Sequence, residues 1–364
     1  LDQRDQVFAK GWMGIDMLGP NGKFTGGSTK NGEGWPLEQC AYWLDGLVRL
    51  GYVLHDETLL AKARDRLKPI LASTNGTFFW WDPARNWKNA GGEFNLWSAA
   101  VLGRALVAHA QGSGDPAVLA SLHAAYATYP APRGIDRDAV NIESMAEAHA
   151  MAAGSTIGQT IVQFMENVSA MEKTEKKGQK WKSWIDPANI APDHGVTFNE
   201  TTKLPAVAYP WTSDPAHLQM SLNRVTYLEK VHGLPNGAHS ASEHMVGIGA
   251  FRSTETCNVA DFQWTLTWLY RIAGSGSYGD RLERLIFNAG AACWSRDCKL
   301  HAYYQAPNRL SQSLQGQKFA GGGHDFRPIH GPFCCTGNIT RILPNYIIHM
   351  WMATRDGASS TPNS

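Results

Sequence analysis

Several things are scarce in this sequence, and each scarcity removes a class of protein. No apolar run reaches the roughly 20 residues that a membrane-spanning helix requires, so a membrane partner is not expected. Charge of one sign is not in excess: Lys+Arg number 33, Asp+Glu 32, and the formal charge is +1. The one basic cluster, KTEKKGQKWK at 173–182, lacks a companion stripe that could track phosphates and reads as a solvated loop. Nucleic acid is therefore not an expected partner. The first residues, LDQRDQVFAK, lack the features of a signal peptide, so any leader is expected to have been removed or to lie outside this sequence. Strand signatures are rare as well. Only KLHAYYQ at 299–305 alternates convincingly.

What is plentiful is helical periodicity. Leu44, Leu47, Val48 and Gly51 recur at the i, i+3, i+4, i+7 spacing of one buried stripe. Leu60, Ala63, Leu67 and Leu71 repeat it, as do Val259, Phe262, Leu266, Leu269 and Ala273. Further helices are expected near 95–111, 116–127, 141–153, 157–170, 214–232, 278–289 and 338–353. Asp56, Asp115 and Ser277 stand in short links between helices, where an N-cap should accept from orphan backbone N–H groups. Short links between amphipathic helices make antiparallel pairs, and such pairs must bury their stripes by stacking or by closing into a ring. With 43% hydrophobic residues and fourteen Trp, the chain can fill a large core. Irregular stretches are expected at 12–38, 74–94, 181–213 and 233–256, rich in Gly, Pro and Trp. Loops of that length are usually functional.

Four N-x-[ST] sequons, at Asn75, Asn167, Asn199 and Asn338, point weakly to a secreted glycoprotein. Asn338 is expected to stay unmodified because it abuts a cysteine pair.

Six cysteines are present: Cys40, Cys257, Cys293, Cys298, Cys334 and Cys335. Cys40 lies in a helical pattern and reads as a small buried hydrophobe. The short spacing of Cys293 and Cys298 favours a disulfide. The adjacent pair Cys334–Cys335 is awkward to bridge to itself, leaving two separate bridges or one metal. Glu255 and Cys257, two residues apart at a helix start, would complete one carboxylate and three thiolates, a tetrahedral zinc set. On spacing alone both readings stand.

The segments ETCNVADFQWTLTWLYRIAGSGSYGDRLERLIFNAG, AYYQAPN and CCTGNITRILP resemble, in order, the β-L-arabinofuranosidase family of glycoside hydrolases. EGWPLEQCAYWLDGLVRLGYVLHDETLLAKA and HGVTFNE fit the same family, so the resemblance runs from about residue 30 to 350. It implies an all-α fold, an (α/α)6 barrel of antiparallel helix pairs with long Trp/Gly-rich loops and a few short strands. Residues 1–355 would form one catalytic domain. Residues 356–364 would be a tail, and the β-sandwich domains that usually follow in the family are either absent or joined through it. It also implies a zinc-dependent retaining hydrolase acting on a carbohydrate. Carried over, Glu255, Cys257, Cys334 and Cys335 hold Zn2+, Cys334 is also the nucleophile, and Glu243 is the acid/base. His194, Glu283 and Tyr304 fall on sugar-contacting positions. Ala99 and Ala139 stand at or near positions where the family carries substrate histidines, so the reaction class is better supported than the sugar. The competing readings are a non-catalytic zinc-containing carbohydrate-binding relative, and a disulfide-stapled α/α-toroid lyase or uronide hydrolase without metal.

Overall fold

Helix α1 (Pro36–Leu54) is nearly all buried, and the helices that follow alternate between buried and half-exposed. The structure, a computed structural model, describes Gln3, residues 36–72, 96–174, 194–249, 251–308, 325–328, 334–353 and 359–360. Its helices are α1, α2 (Glu57–Ala72), α3 (Leu96–Ser113), α4 (Pro116–Ala127), α5 (Asn141–Met151), α6 (Ser155–Thr174), α7 (Gly195–Thr202), α8 (Leu204–Thr212), α9 (Pro215–Tyr227), α10 (Thr256–Ala273), α11 (Gly276–Leu285), α12 (Cys334–Asn338) and α13 (Ile342–His349). Packing closes an inner ring: α1 lies on α3, α3 on α5, α5 on α8, α7 and α8 on α10, α10 on α12 and α13, and these return to α1. Helices α2, α4, α6, α9 and α11 pack outside, each against an inner neighbour. This is the expected α/α barrel, with six inner positions, the fourth and sixth each filled by two short helices. Because inner and outer helices alternate along the chain, the inner ones run in one direction and their N-termini gather at one end.

The inner helices are apolar on the ring side and polar in the bore. Asp45, Arg49, Arg104, Glu143, Glu200, Lys203, Asp261 and Arg341 are all buried, four acids against four bases. Arg104 donates to Glu143 (2.9 Å) and to both oxygens of Glu200 (Nη1–Oε1 2.9 Å). Lys203 donates to Glu200 (2.7 Å), and Arg341 to Asp261. Buried charges survive only when paired in this way. Against the upward push of burial, Arg104 and Lys203 hold Glu200 well below the carboxylate range. Burial and that settled charge push Asp261 up.

Several sequence expectations are corrected. The stretch 181–213 is not all irregular: from 195 it forms α7 and α8. These helices are buried on nearly every side and carry no amphipathic stripe. Pro205 sits in the first turn of α8, where its missing N–H costs nothing, and Pro210 falls only in the last turn. Ser277 is inside α11; the cap position belongs to Ser275. Asp56 and Asp115 do cap, accepting from Leu59 N (3.0 Å) and Ala117 N (2.8 Å). No disulfide joins Cys293 to Cys298. The Cys293 thiol instead donates to Ala289 O and accepts from Gln305 (3.1 Å). Cys40 is buried as expected, and so are Trp43, Trp97, Trp264, Trp268 and Trp294. The sequon residues Asn199 and Asn338 are fully buried, out of reach of a glycan in the folded chain. Asn75 and the expected loops at 12–35, 74–94 and 181–193 lie outside the described residues. Among the described residues each strand segment is two residues long, and Ser359–Ser360 of the expected tail pair antiparallel with Met352–Ala353 of the expected domain.

Candidate active site

The site is built at the end of the barrel where the inner helices begin. Helix α10 opens with Glu255 as N-cap and Cys257 in its first turn, and α12 opens with Cys334 and Cys335. His194 is the N-cap of α7. Converging helix N-termini present positive dipole ends, which favour anionic groups such as thiolates. Close backbone approaches fix these starts. A Cβ on Gly337 would sit 2.6 Å from Gln39 O of α1, and one on Gly195 would sit 2.4 Å from the Asn258 side chain of α10. The asparagine and arginine that follow the cysteine pair anchor it to α10: Asn338 Nδ2 donates to Asp261 (3.2 Å), and so does Arg341.

Strands bring the remaining side chains. β1 (Ala241–Ser242) and β2 (His244–Met245) pair with Ser242 opposite His244, which leaves Glu243 alone at the corner. Its φ is +70°, left-handed backbone that is uncommon for glutamate and costs energy unless the surroundings fix it. β3 (Thr254–Glu255) runs antiparallel to β5 (Tyr304–Gln305), with Glu255 opposite Tyr304. The expected strand 299–305 is therefore broken, with β4 (His301–Ala302) pairing elsewhere, to β6 (Phe326–Arg327). A regular strand would send Tyr303 and Tyr304 to opposite faces. The bend at Tyr303 lets both hydroxyls reach Glu243 Oε1, at 2.9 and 2.6 Å.

Glu255, Cys257, Cys334 and Cys335 converge: one ligand atom from each lies within 4.8 Å of all the others. Cys257 Sγ is 3.2 Å from Cys335 Sγ, and Glu255 Oε1 is 3.3 Å from Cys335 Sγ and 3.8 Å from Cys334 Sγ. Glu255 Oε2 is buried without a hydrogen-bond partner. Burial pushes Cys257 and Cys335 well above the ordinary thiol value. Burial, with Cys334 and Glu243 close by, also pushes Glu255 well up. Hydrogen bonds from the Cys257 and Cys335 thiols, with the Tyr303 hydroxyl, hold Cys334 far below it. Four acidic groups packed together, with an orphaned carboxylate oxygen, form a donor set suited to a soft divalent cation: three sulfurs and one oxygen, the composition of a tetrahedral zinc site. Cys334 is the outermost of the three sulfurs, half-buried where Cys257 and Cys335 are sealed.

Glu243 stands beside this cluster. Burial alone would raise its carboxyl, but donors from His194 Nε2 (3.0 Å), Tyr304 and Tyr303 hold it at about 2. The Tyr303 hydroxyl also lies 3.2 Å from Cys334 Sγ. His194 and Tyr304 thus join the cluster, as does Tyr303, which the sequence reading passed over although it neighbours Tyr304. Arg137, also missed, lies 3.2 Å from His194 Nδ1. Glu283 instead faces α13: on α11 it accepts from Tyr346 (3.4 Å). Ala99 and Ala139 are buried, on α3 and in the turn before α5.

The arrangement is a helical toroid with a thiol-rich candidate metal centre at its helix N-termini. No family model matches the sequence, and no curated protein matches it. Among solved structures the fold is similar to a GH127 beta-L-arabinofuranosidase from Geobacillus stearothermophilus T6, with a TM-score of 0.66 and 16% identity over 98% of this chain and 60% of that one. A second GH127 beta-arabinofuranosidase gives 0.64 and 16% over 91% of this chain and 55% of that one. An unsaturated glucuronyl hydrolase from Streptococcus agalactiae gives 0.55 and 11%, covering 90% and 82%. The chain spans less than two thirds of the length of the two arabinofuranosidases. At these identities the likeness establishes the α/α-toroid fold.

Proposed function

We propose that this chain is a retaining glycoside hydrolase in which Cys334 is the nucleophile and Glu243 the acid/base. One observation carries the reading: the outermost sulfur of the four-ligand cluster shares a single tyrosine hydroxyl with a carboxylate. Two atoms joined through one hydroxyl can be no more than about 6 Å apart, which fits a double displacement and is too close to seat an inverting water between them. Glu255, Cys257, Cys334 and Cys335 would hold zinc, whose charge keeps neighbouring thiols deprotonated at neutral pH.

In this reading Cys334 Sγ attacks the anomeric carbon as the glycosidic C–O bond breaks, and the leaving oxygen takes a proton from Glu243. Water then attacks the same carbon, gives its proton to Glu243, and the C–S bond breaks. Two inversions give net retention. With three donors the Glu243 carboxyl is ionised in the free protein, the state that the second step needs. For the first step it must gain a proton. A sugar that draws away one of the three donors raises it toward that role. The secreted location expected from the sequons remains part of the proposal on Asn75 and Asn167 alone.

β-L-arabinofuranosides are the first substrates to test, on the resemblance and the GH127 neighbours. An aryl-glycoside panel, assayed with and without a chelator, should give turnover on a furanoside that the chelator abolishes. Cys334→Ser should lose that turnover while binding sugar and unfolding like the parent. Full activity in this variant would sink the mechanism. Bound zinc and sugar affinity without turnover on any glycoside would instead favour a non-catalytic binding protein.

A further inference from the structure

The turn before α5 places a guanidinium against the histidine that supports Glu243. Arg137 opens a turn spanning Arg137–Val140, fastened by its own N–H to the Asp136 side chain (2.7 Å). Its Nε donates to Thr197 Oγ1 at 2.8 Å, its Nη2 lies 3.2 Å from His194 Nδ1, and its plane sits over the Trp97 ring at 5.1 Å. Arginine offers donors and no acceptor. His194 Nδ1 must therefore present its lone pair. The backbone N–H of Thr197 points at the same atom, at 3.5 Å. An imidazole with an unprotonated Nδ1 carries its hydrogen on Nε2, and Nε2 is the atom 3.0 Å from Glu243 Oε2. The opposite tautomer would set N–H against guanidinium on one side and lone pair against carboxylate on the other.

We infer that Arg137 is a positioning residue: it fixes the Nε2–H tautomer of His194, and through it the orientation of the Glu243 carboxylate. The contacts run in one direction, as a relay. Thr197 and Trp97 hold Arg137, Arg137 selects the hydrogen position on His194, and His194 turns one carboxylate oxygen away from Tyr303 and Tyr304. The role of this relay in turnover rests on reading Glu243 as the acid/base, but the tautomer assignment does not.

Long-range proton–nitrogen NMR on the full chain, uniformly labelled with nitrogen-15, reads the tautomer directly, and the His194 signals are assigned by their loss in His194→Gln. The expected pattern is Nε2–H in the parent and a mixed or Nδ1–H pattern in Arg137→Met. Where turnover is present, kcat should fall about 100-fold with a smaller change in KM, as expected when a catalytic group is misaimed rather than removed. Arg137→Lys, which keeps one donor, should recover much of the tautomer. Should Arg137→Met fail to fold, Thr197→Val releases the Arg137 side chain more gently and must show the same loss of tautomer purity. An Nδ1–H parent, or an unaltered Nε2–H pattern in whichever variant folds, overturns the inference. A chain inactive on every glycoside overturns the proposed function and leaves this measurement intact.

Discussion

Replacing Arg341 with Met tests what holds the cysteine pair in place. The guanidinium is fully buried and donates to Asp261 and to the Asn338 side chain. It lies 3.7 Å from Glu200, 3.8 Å from Asp45, and 4.5 Å from the centre of the Tyr42 ring. Methionine fills similar space and supplies no charge. The loss leaves three bases for four buried acids, and an uncompensated buried charge costs about 3–5 kcal/mol. At roughly 2–4 °C per kcal/mol for a protein of this order of size, the melting temperature should fall by roughly 10 °C. Added salt should not change the difference, because screening acts on exposed charges far more than on buried ones. Differential scanning calorimetry at low and high salt reads both effects. Removing the partner as well, in Arg341→Met with Asp261→Leu, should restore at least half the loss, because a buried pair replaced by apolar groups is often nearly neutral. A melting temperature within 2 °C or so of the parent would refute the reasoning, since no surface pair is worth more than about 1 kcal/mol. A double variant less stable than the single one would refute it too.

Two further outcomes follow from the packing and the charge states. In Gly337→Ala the new Cβ would meet the Gln39 backbone at 2.6 and 3.1 Å. Backbone cannot swing aside, so α12 must shift, at about 1–3 kcal/mol. Zinc affinity measured by competition with a chromophoric chelator should fall about 10- to 100-fold; unchanged affinity would show that α12 is not held by this contact. Burial lowers His239 to about 3, and its ring meets Asn199 Nδ2 at 3.3 Å. Its folded pKa is below its unfolded value, so the stability it contributes is complete above about pH 6.5 and is lost as pH falls toward 3, an effect of about 4 kcal/mol. Glu243, held at about 2, adds acid sensitivity only below about pH 4.5, its ordinary range. Urea unfolding from pH 7 to 4 should show a slope that His239→Gln reduces, the remainder coming from other buried histidines such as His349, which burial lowers to about 4; an equal slope in that variant would assign it to those groups alone.

Much of the ring was legible because its longer helices, inner and outer, repeat apolar residues at helical spacing over several turns. Leu60, Ala63 and Leu67 could mark α2 only because polar residues separate them. Helices α7 and α8 were not legible, because they span only 8 and 9 residues, too short for a period to repeat, and the proline in the first turn of α8 resembles a break. Strand 299–305 was read as regular for a similar reason. Alternation predicts faces, and nothing local foretells the bend at Tyr303 that brings two adjacent rings to one carboxylate.

The site divides along the same line. Residue type and spacing nominated Glu255, Cys257, Cys334 and Cys335, since thiols and carboxylates carry their chemistry with them, but spacing did not decide between zinc and cystine bridges. Only the barrel, by gathering its helix starts at one end and pinning α12 to α10, put three sulfurs beside one oxygen and kept Cys293 apart from Cys298. Arg137 is ordinary in the sequence, one charged residue in a turn. Its bearing on His194 exists because two segments 57 residues apart meet at the rim, and contacts across such a span belong to the closed ring rather than to any stretch of chain.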